Sequence, residues 1–125
     1  MTGWSSEELN KVEAADELEV ASLRPDGTAR NPTTIWVVRL GDDLYVRSVR
    51  GRTSAWFRGT RVRHEGRIQA GGVEKDVTFV DVDHDIADEI DAAYREKYRR
   101  YTAGIVNSVL TPDARSATIK LVPRD

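Results

Sequence analysis

Apolar positions keep a period of two through the middle of the chain and a period of three to four nearer its two ends. Leu9 and Val12 share a helical face, with Ala15 or Asp16 next. Ser5, followed three residues later by Glu8, has capping-box spacing. Together they predict a helix within residues 1–17 that lids one end of the fold. Leu18–Leu23 predicts a short strand, and Arg24-Pro25-Asp26-Gly27 a turn. Thr33–Leu40 reads as one strand, β-branched, aromatic and apolar on both faces, which places it centrally in a barrel or closed sheet. Gly41-Asp42-Asp43 predicts a tight hairpin into Leu44–Val49. In that strand Leu44, Val46 and Ser48 share one face, and Tyr45, Arg47 and Val49 the other.

Thr53 or Ser54 caps a short helix over 54–64, with Trp56 and Phe57 in its first turn and Gly59 limiting its length. Gly71-Gly72, between Arg67–Ala70 and Val73–Val82, predicts a second hairpin. Asp83–Asp85 supplies the N-cap of a helix over 85–101. There Ile86, Ile90, Ala93, Tyr94, Lys97, Tyr98 and Tyr101 recur at steps of three and four. Asp91–Arg95 and Glu96–Arg100 are i,i+4 pairs with the acid first. Gly104 ends this helix or follows its end. Ile105–Leu110 is short and apolar and matches no single element. Thr111-Pro112-Asp113 starts a helical turn, and residues 117–122 form a final strand. Hairpins dominate, so the fold class is α+β: an antiparallel barrel with helices at its side, in one domain over 1–125.

Composition narrows the function classes. No apolar run approaches the ~18 residues of a membrane-crossing helix, and the first residues lack the pattern of a secretory signal. The chain has no cysteine, which removes disulfides, thiol catalysis and zinc–thiolate sites and fits a reducing cytoplasm. The net charge of −2 conceals an asymmetry. Arg24–Lys75 holds eleven Lys/Arg against five Asp/Glu, and the rest holds eight against sixteen. A basic middle between acidic ends suits one local anion rather than a nucleic acid.

The basic middle has a focus. Arg47, Arg50, Arg52 and Thr53 surround Gly51 where a strand gives way to a helix. A phosphate takes backbone N–H donors, a hydroxyl and guanidinium forks, and glycine admits it closely. An exposed, arginine-rich hairpin end would look the same. Trp36 and Trp56 suit either a planar ligand or the core, and Trp4 a packing anchor for the first helix. Asp81-Val-Asp83-His84-Asp85 lacks the glutamate and glycine of a calcium loop and a second histidine for zinc, and reads as a cap and turn with no metal. No nucleophile triad is visible.

Over Gly27–Val82 the chain resembles the flavin- and deazaflavin-binding split barrels, which include pyridoxamine-phosphate oxidase-like proteins and deazaflavin-dependent nitroreductases. The resemblance rests on Pro32-Thr-Thr-Ile-Trp-Val-Val38, the Gly41–Val46 hairpin, the Ser48–Gly51 strand exit, Ala55-Trp56-Phe57 and the Arg67–Gly72 hairpin. The whole chain is similar to a small uncharacterised family within that group, whose members share the Asp91-Ala-Ala-Tyr94-Arg95-x-Lys97-Tyr98 helix. Two features depart from the deazaflavin pattern. Arg24–Arg30 replaces a Gly-Arg-Lys-Ser-Gly-like run, and Ser54 stands where proline usually precedes Ala-Trp.

The resemblance implies a small antiparallel split β-barrel with flanking helices. It implies FMN or a 5-deazaflavin as cofactor, an oxidoreductase acting on a small molecule, and a homodimer with the cofactor at the interface. The ring system would lie along Thr33, Thr34 and Trp36. The phosphate would fall to Arg47, Ser48, Arg50, Gly51, Arg52, Thr53 and Trp56. The alternative is a non-enzymatic binding or carrier module for haem or another anionic ligand on the same barrel.

Overall fold

The computed structural model describes residues 3–82 and 84–124. Five helices and seven strands alternate as α1 (Ser6–Ala14), β1 (Leu18–Ser22), β2 (Thr33–Ile35), β3 (Val37–Leu40), β4 (Asp43–Arg47), α2 (Ala55–Arg63), β5 (Glu65–Ala70), β6 (Val73–Asp81), α3 (Ala87–Lys97), α4 (Ala103–Asn107), α5 (Pro112–Ser116) and β7 (Thr118–Pro123). The strands form one antiparallel sheet in the order β2-β1-β5-β6-β7-β4-β3. β2 and β3 are separated in the chain by Trp36 alone, yet stand at opposite ends of that order. The sheet therefore curls until its two ends meet at Trp36, nearly closing a barrel.

Local chemistry built several of these elements as expected. Ser5 and Glu8 form the reciprocal capping box of α1. Gly71 and Gly72 turn the β5–β6 hairpin at φ 58° and 85°. Gly41 starts the two-residue link between Leu40 and its partner Asp43. Ser54, rather than Thr53, caps α2. Thr111 caps α5, with Pro112 at its first helical position. The Trp4 indole N–H donates to the Leu121 carbonyl at 2.9 Å and anchors α1 to the barrel.

Three expectations need correction, and one stretch without an assignment gains one. Thr33–Leu40 is not one strand, because Trp36 leaves the ladder and stacks on Tyr98. Gly59 does not limit α2, which runs on to Arg63. Instead, its missing side chain lets the helix lie against β1: a Cβ there would sit 2.3 Å from the Ser22 hydroxyl. The third helix opens as a 3₁₀ turn at His84–Ile86 and stops after Lys97, where Lys97 and Tyr98 turn to bond the backbone of β3. Part of Ile105–Leu110 is helical and supplies Val106 and Val109 to a core. Of the cap expected at Asp83–Asp85, Asp83 lies outside the described residues.

Apolar side chains collect in two clusters. Leu9, Val12, Leu18, Val37, Leu44, Val46, Ile68 and Phe79, among others, fill the barrel. Val38 and Tyr45 point the other way and pack with Ile90, Tyr94 and Tyr98 of the α3 segment. β4 is thus buried on both faces, as a strand alternating between two cores must be. Among the described residues no helix is long and apolar enough to cross a membrane.

Candidate functional site

β2 stands at one end of the strand order, so among the described residues only β1 pairs with it and its outer backbone edge is open. That edge borders a cleft of about 350 Å³ lined by Thr33, Thr34, Ser48, Arg50, Ser54 and Trp56. Val49, Ile35 and Ala55 complete it. The hydroxyls of Ser48 and Ser54 lie 2.7 Å apart. Ser54 also receives the Phe57 N–H as the cap of α2, so the positive end of a nine-residue helix opens at the same place. The Arg50 side chain is exposed, and among the described residues no carboxylate lines this cleft.

Three more clefts adjoin it. One, of about 290 Å³, shares Thr34, Ile35 and Val49 and adds Trp36, Ile105 and Val109. One of about 270 Å³ shares Thr33, Ala55 and Trp56 and adds Ser22, Arg24 and Arg30. The last shares Arg30 and Ala55 with that one and adds Arg58 and Val62. Through these shared residues the clefts follow one another along β2 and the face of α2, and are referred to below as the groove.

The structure brings Thr33, Thr34, Ser48, Arg50 and Trp56 together, and sets Trp36 in the adjoining apolar cleft. Trp56 also packs against the barrel core, and its ring meets Phe57 edge-on at 6.1 Å. The other expected residues face elsewhere. Gly51 is buried against α5, and a Cβ on it would come 3.0 Å from Asp113 Cβ. Arg52 donates to the Ser116 carbonyl at 3.0 Å and lies over the Phe57 ring. Thr53 donates to the Arg50 carbonyl at 3.1 Å.

Arg47 departs furthest from its expected role. Its guanidinium is buried and turned into the fold, although the residue borders the apolar cleft. Nη1 bonds Asp91 and the Val109 carbonyl, Nη2 the Ala87 carbonyl and Nε the Thr118 hydroxyl. The cation also lies 5.5 Å from the centre of the Tyr94 ring. Four of its five N–H donors are engaged in joining β4, β7 and α3.

Behind the groove, α3 secures the barrel seam. The Tyr98 hydroxyl accepts the Val37 N–H at 3.1 Å and donates to the Asp16 carbonyl at 2.6 Å. The Lys97 ammonium donates to the Val37 carbonyl at 2.7 Å. Burial pulls the Lys97 pKa down to about 8 and pushes the Tyr98 hydroxyl up. The two rings of Trp36 and Tyr98 stack at 3.8 Å, 3° from parallel. Tyr98 thereby holds the wall of the apolar cleft.

A larger cleft, about 570 Å³, lies between α1, β3 and α3. Its cations are already engaged: Arg39 with Glu13, Arg99 with Glu96, Arg100 with Asp16 and Lys97 with Val37. It is the poorer candidate for an anionic ligand. Sequence reasoning missed Arg30 and Arg58 and named Ser54 only as a cap. Arg58 does carry a weak signal, one helical turn after Ser54. Arg30 carries none, because it sits in an irregular link.

A family model described as "Uncharacterized protein conserved in bacteria (DUF2255)" matches residues 8–121. The chain belongs to this family. No curated protein matches the DUF2255 chain. Among solved structures it is similar to HutZ, the heme storage protein from Vibrio cholerae, at TM-score 0.67 and 14% identity over 93% of this chain and 87% of that one. It is similar to a putative pyridoxamine 5'-phosphate oxidase from Listeria innocua, at TM-score 0.64 and 17% identity over 94% and 90%. It is also similar to a FAD-binding protein from Mesorhizobium loti, at TM-score 0.57 and 17% identity over 98% and 91%. The DUF2255 chain therefore shares the fold of these structures, an antiparallel split barrel with flanking helices.

Proposed function

We propose that this chain binds a flavin-type cofactor, FMN or a 5-deazaflavin, in the β2–α2 groove and acts as an oxidoreductase on a small molecule. The observation that carries this is the open edge of β2 facing a cleft that also holds Ser48, Arg50, Ser54 and Trp56. The donor set suits both halves of such a cofactor. The unpaired backbone of β2 matches the alternating donors and acceptors along one side of the ring system. Arg50, the serine hydroxyls and the start of α2 match a phosphate. Trp36, Val49 and Ile105 offer apolar surface at the ring end. When bound, the cofactor supplies hydride or electron chemistry, and the chain orients it and excludes water from one face.

Haem fits these residues less well. Its iron is usually held by a side-chain nitrogen, sulfur or phenolate, and no His, Cys, Met or Tyr among the described residues lines the groove. Arg50→Ala is expected to weaken FMN binding about tenfold, the low end of the ~1.5–3 kcal/mol of a hydrogen bond to a charged group, as befits an exposed side chain. Fluorescence titration reads this directly. Equal affinity in the two proteins removes the phosphate from this cleft.

The same proposal takes a homodimer in a reducing cytoplasm. Val49 and Ile105 stand 52% and 48% exposed at the apolar end of the groove, where a second copy would cover them. Sedimentation should show a species of twice the 14.0 kDa chain mass, and Val49→Asp should return it to the single mass. A monomer at tens of micromolar rules the dimer out.

A further inference from the structure

The groove changes character along its length. Trp36, Val49, Ile105 and Val109 line one end, and Arg30, Arg58 and Val62 the other. Arg24 and Arg30 line the stretch between. Among the described residues no Asp or Glu lines the groove from Ser48 to Val62. Elsewhere in the chain guanidinia are mostly spoken for: Arg61 pairs with Asp81, Arg63 with Glu65, Arg67 with Asp76 and Arg115 with Asp88.

Arg30 is different, and it is held in place. It is half-buried, and its Nε–H has no acceptor among the described residues. Its stem lies on Gly59, where a Cβ would come 3.2 Å from Nε and 3.3 Å from Cδ. The glycine that brings α2 onto β1 thus also seats this arginine between them. Arg58, on the next face of α2, lines the same cleft. A buried donor without an acceptor costs free energy, and two guanidinia facing one cleft without a carboxylate repel each other. An anion bound in the cleft relieves the repulsion.

We propose that Arg30 and Arg58 form a second anion subsite, so that the groove takes a ligand with an aromatic head and at least two anionic groups. A dinucleotide or another cofactor with an anionic tail fills both subsites, whereas a mononucleotide such as FMN fills only the first. The head and first phosphate rest on the cofactor proposal above; the second subsite rests on Arg30, Arg58 and Gly59.

Two measurements separate the two proposals. The first compares FMN and FAD affinities for the unaltered chain, for R50A and for R30Q/R58Q, in which glutamine keeps part of the stem over Gly59. R30Q/R58Q should lose at least tenfold in FAD affinity and less than twofold for FMN, whereas R50A should lose for both. Equal losses for the two flavins in R30Q/R58Q, or none, overturn the second subsite. The second follows the arginine Nε–H resonances as inorganic pyrophosphate is added. Arg30 and Arg58 should shift and saturate while Arg67 and Arg99 stay still. If neither flavin binds but these two shift, the cofactor proposal falls and the subsite stands. Uniform shifts, or none, overturn the subsite whatever the flavins do.

Discussion

Arg47→Ala is expected to lose about 3–5 kcal/mol of folding stability, because it strips one partner from a buried ion pair. The side chain is fully buried, and the Asp91 it bonds is 9% exposed. Without the guanidinium, that carboxylate stays in the interior and the carbonyls of Ala87 and Val109 lose their donor. Arg115 approaches the other Asp91 oxygen at 3.6 Å, so the loss should fall toward the lower figure. Asp91→Ala should cost a similar amount by leaving the cation unpaired. The double variant R47M/D91L should recover most of the loss, since apolar groups of similar volume can replace a buried pair. Urea unfolding of the three proteins tests this, and a loss under 1 kcal/mol in Arg47→Ala would show that the guanidinium is not committed as described. The contrast with Arg50 is informative: in the folded fraction, Arg47→Ala should weaken FMN binding less than Arg50→Ala does.

Tyr98→Ala should cost about 3–5 kcal/mol, the usual range for emptying a buried aromatic site. The ring is fully buried and stacks on Trp36, so its loss also frees a wall of the groove. Tyr98→Phe isolates the hydroxyl. The Val37 N–H and the Asp16 carbonyl lose their shared partner, at about 1–3 kcal/mol for a buried group left unsatisfied. Amide exchange gives a local reading: the Val37 N–H should exchange faster in Tyr98→Phe, while the Gly71–Gly72 hairpin is unchanged. If Val37 keeps its protection, the hydroxyl does not secure the seam. If it does secure it, Tyr98→Phe should also weaken flavin binding without touching any groove residue, because Trp36 directly precedes Val37 in the chain.

The fold and the groove were legible to different degrees. The capping box, both glycine hairpin turns and the proline start of α5 could be read directly, because each depends on atoms a few residues apart. The resemblance of Gly27–Val82 to split barrels pointed to the β2 strand and to Ser48, Arg50 and Trp56, which do meet in one cleft. It could not show which arginines face that cleft. Arg47 and Arg50 are three residues apart in the same basic run. One turns inward because Asp91, 44 residues away, waits there; the other stays in solvent.

The sequence by itself determined the alternation that buries β4 on both faces, the turns, the caps and the α+β class, since these follow from side-chain period and local backbone preference. Only the tertiary structure decided where the strand breaks at Trp36, which guanidinia are used up, and that Gly59 seats Arg30 rather than ending a helix. Those outcomes are set by partners brought together from far apart. The hydroxyl of Tyr98 reaches Asp16 across 82 residues to close the seam. No local pattern records that meeting, because its free energy exists only once the barrel has formed.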